Sequence, residues 1–331
     1  RFEIERVIAG SKVLTTGAPF DNGPDSPLWA DIKGKIGKLQ AAGKVSDADA
    51  AALLQEAKTA LQGLAPAYGR VIAWAQGELP KAPSGRTGAI SLPGGAAWYA
   101  AALKLNTTTD MTAAQIHKVG LAEVARIEKA QDALAQQAGF KDRQAYYAER
   151  ARLYPPKPWT DEARADYLRL ANDTIAHTRT LLPQWFGELP AYRAEVVREP
   201  SFSEVAGGAA HAGGPSPDGA RPGRVYVHLL GNTDDPADVY NLMCHEGITG
   251  HVMQGDIRVR QKAAPKFRKT YGYVAYNEGW ALYTEALCKE MGVYPDIAAD
   301  FMRLDAELFR GARLVVDTGI HAMGWTEDQA V

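Results

Sequence analysis

Apolar residues in this chain recur mostly at helical spacing. Ile116, Val119, Val124, Ile127 and Leu134 mark a periodic segment that Gly139 stops. Thr112, with Gln115 three places on, gives that segment a capping-box start. Residues 46–63 open with Ser46-Asp47-Ala48-Asp49 and continue in Ala, Leu and Gln, all good helix formers. A third helix is expected from Thr160 to about Leu182, where Pro183 ends it. Strand-like runs are few, and the clearest is Arg224-Val225-Tyr226-Val227-His228-Leu229-Leu230. Before it, residues 206–223 are rich in Gly, Pro and Ser and are expected to form no regular element. After it, Asp235-Pro236 reads as an N-cap followed by proline at N1, so a helix should begin there. The pattern predicts a mainly α fold, α+β in class, with a small sheet.

Composition narrows the function classes. The chain has 331 residues, 46% hydrophobic and 23% charged, as ordinary globular proteins have. Lys and Arg number 37 against 39 Asp and Glu, a formal charge of -2, so no basic field points to nucleic acid. No uncharged apolar run approaches the roughly 20 residues of a transmembrane span. Two cysteines exclude a disulfide scaffold and a Cys-rich zinc module. Cys244 and Cys288 read as small buried apolar residues, with ligation by Cys244 as the alternative. The chain starts at Arg1, and Thr326 with Gln329 opens a capping-box pattern just before the end. Both ends read as cut. Residues 1–85 are expected as an N-terminal helical part, continuous with a core at 86–331.

Three stretches carry chemistry. Cys244-His245-Glu246-Gly247-Ile248-Thr249-Gly250-His251 resembles the H-E-x-x-H zinc pattern, but the second His stands six residues on instead of four. On a regular helix that spacing turns it about 240° away, so both imidazoles reach one ion only if the helix breaks between them. Gly247, Thr249 and Gly250 are poor helix residues there and permit the break. The alternative is a surface His–Glu pair at a frayed helix end. Tyr276 to Glu285 contains Glu278, 27 residues past His251, where a next helix could bring a carboxylate. Glu285, two turns further on the same face, could orient a ligand or face solvent. Arg313, Asp317 and His321 stand at i, i+4 and i+8 and form one polar helix stripe. That stripe reads equally as an ion pair or as a catalytic group.

These stretches, with Leu92-Pro93-Gly94-Gly95, Trp98-Tyr99, Thr107-Thr108-Thr109, Gln254, Asp218 to Gly223, and Arg313 to Trp325, resemble the bacterial family catalogued as domain of unknown function 885. That family is grouped with the zincin-type metallopeptidases, and the resemblance covers nearly the whole chain. It implies a zincin-like helical domain with a small sheet whose edge strand flanks the metal-binding helix. It implies one zinc ion on His245, His251 and Glu278, with Glu246 as general base, and a full-length protein longer than this chain. Two positions depart from the family pattern: Val252, where a second His is usual, and Thr249, where Pro is frequent.

The expected activity is zinc-dependent hydrolysis of a peptide or related amide bond. His321 and Tyr283 are the candidate oxyanion donors, with Tyr276 and Tyr273 behind them. The strand at 224–230 would hold substrate backbone by β-augmentation, and loop 206–223 could close over it. Asp317, Arg313, Glu285, Tyr276, His228 and Arg221 complete the candidate list, Arg221 or Arg313 as a carboxylate anchor. His211 and His228 read as bystanders to the metal. Trp98, Tyr99 and Trp280 read as core, and Thr107 to Asp110 as a helix entry. The competing classes are a non-catalytic binding protein with a vacant or structural metal site, and a non-peptide amidase or esterase. The family resemblance favours an exported or periplasmic location over the cytoplasm. Oligomeric state leaves no trace in the sequence.

Overall fold

The computed structural model describes all residues except 83–87, 201–202 and 217–219, and the side chain of Thr270. Asp218 and Gly219, part of the family-like stretch before the strand, therefore lie outside the described residues. The chain divides into two compact units, Arg1–Arg86 and Thr87–Val331.

The first unit is helical. It contains α1 (Phe2–Leu14), α2 (Pro27–Ala41) and α3 (Asp47–Glu78). Ser46 caps α3 by accepting from the Asp49 amide at 3.1 Å. The helix runs on through Pro66 to Glu78, well past the 46–63 expected. Proline removes one ladder bond, but the surrounding Ala and Leu sustain the helix on either side.

The second unit holds α4 (Gly95–Thr107), α5 (Ala113–Gln137), α6 (Arg143–Leu153), α7 (Asp161–Leu181), β1 (Ala194–Arg198), β2 (His211–Gly213) and β3 (Gly223–Val227). It continues with α8 (Asp238–Glu246), α9 (His251–Arg260), α10 (Lys266–Thr270), α11 (Val274–Met291), α12 (Ile297–Met323) and α13 (Glu327–Ala330). The unit is mainly helical around one three-stranded sheet. Both capping boxes read from the sequence, at Thr112 and Thr326, are formed. α5 and α12 pack closely because Gly120 has no side chain: a Cβ there would stand 2.8 Å from Leu314 and Val315.

The sheet corrects two expectations. Its order is β1-β3-β2, with β3 parallel to β1 and antiparallel to β2. β3 is therefore central, both its edges are paired, and it cannot add a substrate strand. The Gly/Pro-rich segment does contain a regular element, β2, which is the edge strand beside α9. The other edge, at β1, is covered from α7, where the Asn172 side chain bonds both the amide and the carbonyl of Val196. Val225, Val227, Met243 and Ile248 bury against Ile175, Leu182 and Leu287 to form the main core. This core fixes β3, α8 and α11 relative to one another.

Three smaller corrections follow. α8 starts at Asp238, three residues after Asp235, which accepts from the Ala237 amide at 2.9 Å to open the turn before the helix while its carboxylate also pairs with Arg150 at 2.6 Å. Trp98 is 64% exposed, so it is not core, whereas Tyr99 is buried. Thr107 closes α4, so the threonine run is a helix exit as much as an entry. No helix among the described residues is long and apolar enough to cross a membrane.

Candidate metal centre

The helix break required by the six-residue spacing is present. α8 ends at Glu246, α9 begins at His251, and residues 247–250 turn between them. Glycine is obligatory in the turn. A Cβ on Gly250 would lie 1.6 Å from the His245 carbonyl oxygen, and one on Gly247 would lie 2.4 Å from that of Met243. Thr249 stabilises the turn with its hydroxyl, donating to the freed Cys244 carbonyl at 3.1 Å. Thr284 donates to the same oxygen at 3.0 Å, and the Trp280 indole donates to the Thr249 carbonyl at 3.0 Å. Trp280 thus braces the turn from α11.

The turn brings both imidazoles to one place. The His245 and His251 rings stand 4.9 Å apart at 88°. Glu278 on α11 spans them, with its carboxylate oxygens 3.5 Å from His245 Nε2 and 3.6 Å from His251 Nε2. One ligand atom from each of the three lies within 4.8 Å of the others. Beneath them, Glu285 accepts from His245 Nδ1 at 2.6 Å. That bond fixes the proton on Nδ1 and leaves Nε2 as the nitrogen facing Glu278, the usual arrangement behind a metal-bound imidazole. Arg310 of α12 pairs with the same Glu285 oxygen at 2.9 Å.

Glu246 lies beside the cluster, its Oε1 3.9 Å from His245 Nε2. Its Oε2 is buried and has no hydrogen-bond partner, and burial pushes its pKa up, with the two histidines pulling the other way. Burial opposes charge on His245, but its bonds to Glu278 and Glu285 outweigh it and raise the pKa to about 9. The bonds from His245 and His251 hold Glu278 well below the ordinary carboxylate range. A positive charge among these carboxylates is strongly favoured. Two imidazole nitrogens and a carboxylate match the three-ligand set of catalytic zinc, so the residues fit the ion.

The cluster opens into a cleft of about 740 Å³ that Glu246, Glu278, His228, Arg258, Arg310 and Arg313 line with others. Arg313 is exposed and stacks its guanidinium over Phe309 at 5.7 Å. Several predicted residues lie elsewhere. His321 and Asp317 belong to a cluster with Tyr99, whose hydroxyl donates to Asp317 at 2.5 Å and whose ring stacks on His321 at 5.3 Å. His321 Nδ1 accepts from the Ala89 amide and borders a separate cavity of about 280 Å³. It stands eleven residues past Arg310 on α12, roughly 16 Å along the axis, too far to serve the triad. Tyr283 is 55% exposed and borders a different hollow with Leu282 and Arg303. Five residues past Glu278, it faces about 140° away around α11. Tyr276 and Tyr273 are exposed at the start of α11 and likewise do not line the cleft. Arg221 is exposed in the loop, bonded through its amide to Ser216, and does not line it either.

Sequence reasoning missed four features here. Arg310 escaped notice although it lies one turn before Arg313, and Arg258 although it lies two turns after His251. A second group of ligand-type residues, Glu199, His211 and His228, was read only as bystander histidines. Finally, Cys244 and Cys288 are not separate apolar residues: they are joined in a disulfide, with Cα atoms 6.3 Å apart, tying α8 to α11. Their separation of 44 residues gave no sign that the two helices bring them together.

The comparisons with known proteins place these observations in context. The family described as "Bacterial protein of unknown function (DUF885)" matches residues 1–331. No curated protein matches the chain. A solved structure, titled "The crystal structure of the putative lipoprotein from Colwellia psychrerythraea", superposes with a TM-score of 0.87 at 28% identity. The alignment covers 99% of this chain and 56% of that one, so the chain spans little more than half the length of that relative.

Proposed function

Since the chain belongs to the bacterial DUF885 family of unknown function, we propose its activity from the site: zinc-dependent hydrolysis of a peptide or related amide bond. The observation that carries this reading is the convergence of His245, His251 and Glu278 beside a buried, unpartnered Glu246 oxygen. A cleft of about 740 Å³ lies within the usual range for small-ligand sites and suits a short peptide.

A zinc ion on the three ligands would supply a Lewis acid and a bound water of lowered pKa. The protein's own groups do the rest. Glu246 takes the proton of the attacking water and passes it to the leaving amine; its burial raises its basicity for that exchange. Glu285 holds His245 in the ligating tautomer. His228 accepts from the Val205 amide through Nδ1 at 3.0 Å, so its neutral ring presents an Nε2–H donor. His228 lines the cleft and takes the oxyanion-donor role first expected of His321 and Tyr283.

Elemental analysis after zinc reconstitution tests the site: about one zinc per chain is expected, and less than ~0.2 would sink the reading. Glu246→Gln should keep its zinc and lose about 10²–10⁴-fold in hydrolysis of a peptide library. Unchanged cleavage by that variant would remove Glu246 from the role of base. Zinc bound without cleavage of any peptide or amide would return the protein to the binding class.

We also assign the protein to an oxidising compartment outside the cytoplasm. The buried Cys244–Cys288 bridge supports this, since such bonds persist where thiols are not kept reduced. The lipoprotein title of the similar structure points the same way.

A further inference from the structure

We propose that Arg258 is the anchor for a substrate carboxylate, making the cleft selective for peptides that carry a free acid group just beyond the scissile bond. This deepens the hydrolase reading and rests on it for the meaning of "scissile". The binding site itself stands on separate observations.

Arg258 lines the cleft together with Gln254, Asn277 and the ligands His251 and Glu278. Its Nε is buried and has no hydrogen-bond partner. Among the described residues, no carboxylate lies within 4.0 Å of its guanidinium, although the chain holds more acidic than basic residues. The acidic residue nearest to it in sequence, Asp256, is already committed: it pairs with Arg260 at 2.5 Å and accepts from the Tyr192 amide at 2.9 Å. A partly buried guanidinium without a counter-charge is costly, and a carboxylate is the ligand its fork of donors fits best.

The surroundings are shaped for a guest. Gln254 donates to Asn277 at 3.0 Å, so both amides are oriented along one wall. Gly272 gives the Arg258 and Asn277 side chains their room, since a Cβ there would stand 3.0 Å from Arg258 Nη1 and 2.7 Å from Asn277 Nδ2. Arg310, the other inward cation of the cleft, is neutralised by Glu285, and Arg313 is exposed over Phe309. Arg258 is thus the arginine that is both sheltered and free.

Distance sets which carboxylate it meets. Arg258 follows the ligand His251 by seven residues, nearly two full turns, so the two share a helix face about 10 Å apart along the axis. Both side chains lean toward the helix N-terminus, so the offset between them stays near that axial figure. A peptide residue spans at most ~3.6 Å, so a carboxylate held by Arg258 belongs within about three residues of the cleaved bond. A free carboxy terminus or an acidic side chain at that place supplies the same chemistry.

Calorimetry with the full chain, zinc-free and zinc-loaded, tests this without needing cleavage. The probes are N-acetylated tripeptides ending in a neutral residue as the free acid, the same peptides amidated, and amidated versions ending in Glu. The free acid should bind about tenfold or more tighter than the amide. Arg258→Gln should reduce that preference below about threefold, and Arg258→Lys should keep part of it. Circular dichroism of both variants establishes that they fold. If the Glu-ended amide alone recovers the affinity, the carboxylate is that of an acidic side chain and the anchor stands. Equal affinity for all three kinds of peptide in the wild type, or an unchanged preference in Arg258→Gln, overturns it. An Arg258-dependent preference in a zinc-loaded protein that cleaves none of these peptides would sink the hydrolase reading while leaving the anchor in place.

Discussion

Two groups of the same residue types, each with two histidines and one glutamate, stand among the described residues, and they differ in what surrounds them. In His245, His251 and Glu278, the remote nitrogen of His245 donates to buried Glu285, so Nε2 is the nitrogen that faces Glu278 and becomes a ligand atom on losing its proton to a metal. In Glu199, His211 and His228, the Val205 amide donates into His228 Nδ1, so the proton sits on Nε2 and blocks ligation there. The first group also stands among further carboxylates, Glu246 and Glu285, while the second has its one Glu199 oxygen 3.8 Å from His211. Residue identity and proximity are thus common to both. The neighbour behind the ring sets which nitrogen each group can offer to a cation.

The largest test of that contrast removes one carboxylate from each group. Glu278→Ala should lower zinc affinity by about 100-fold or more, whereas Glu199→Ala should leave zinc content near one per chain. Metal analysis across a chelator series would show it, and a drop in both would make the groups equivalent. The next effect is smaller. Glu285→Gln should cost about 10–100-fold in zinc affinity by loosening the His245 tautomer. A negligible change would mean that Arg310 and packing alone hold the ring.

The smallest effect concerns charge. Asp238, at the start of α8 on the same cleft, has its pKa raised to about 6 by burial first and then by Asp234, Asp305, Glu285 and Asp235. A carboxyl raised in the folded state contributes full stability below its unfolded pKa and loses it as pH rises through the folded value. In zinc-free protein, Asp238→Asn should therefore add about 1–3 kcal/mol at pH 7 and nearly nothing at pH 4. Urea denaturation at both values measures this, and a variant equally stable relative to wild type at each would contradict it. Zinc in the cleft should shrink the difference at pH 7, because the cation offsets the same repulsion.

Long-period and capping signals were readable because they are local. The boxes at Thr112 and Thr326 and the glycine-rich break between His245 and His251 depend on residues within one or two turns. Glu278 was legible as a candidate because its motif lies on the next long helix. What the sequence hid is tertiary. β2 is three residues inside a Gly/Pro-rich run and exists only because β3 pairs with it. The polar stripe of Arg313, Asp317 and His321 reads as one device, yet Arg313 borders the cleft while Asp317 and His321 turn to Tyr99. A helix long enough to pass two sites serves both, and spacing cannot say where one ends.

The bridge between Cys244 and Cys288 bears on how the centre is made. Thiolates bind zinc more avidly than imidazoles do, and in an unfolded chain these two would compete with His245 for the first ion met. Once oxidised they are out of the contest, and the residue before His245 is already tied to the helix that carries Glu278. For a metal on these ligands, the order of maturation would then be oxidation first, metal second. A chain given zinc while its cysteines are reduced should capture the ion in the wrong hands.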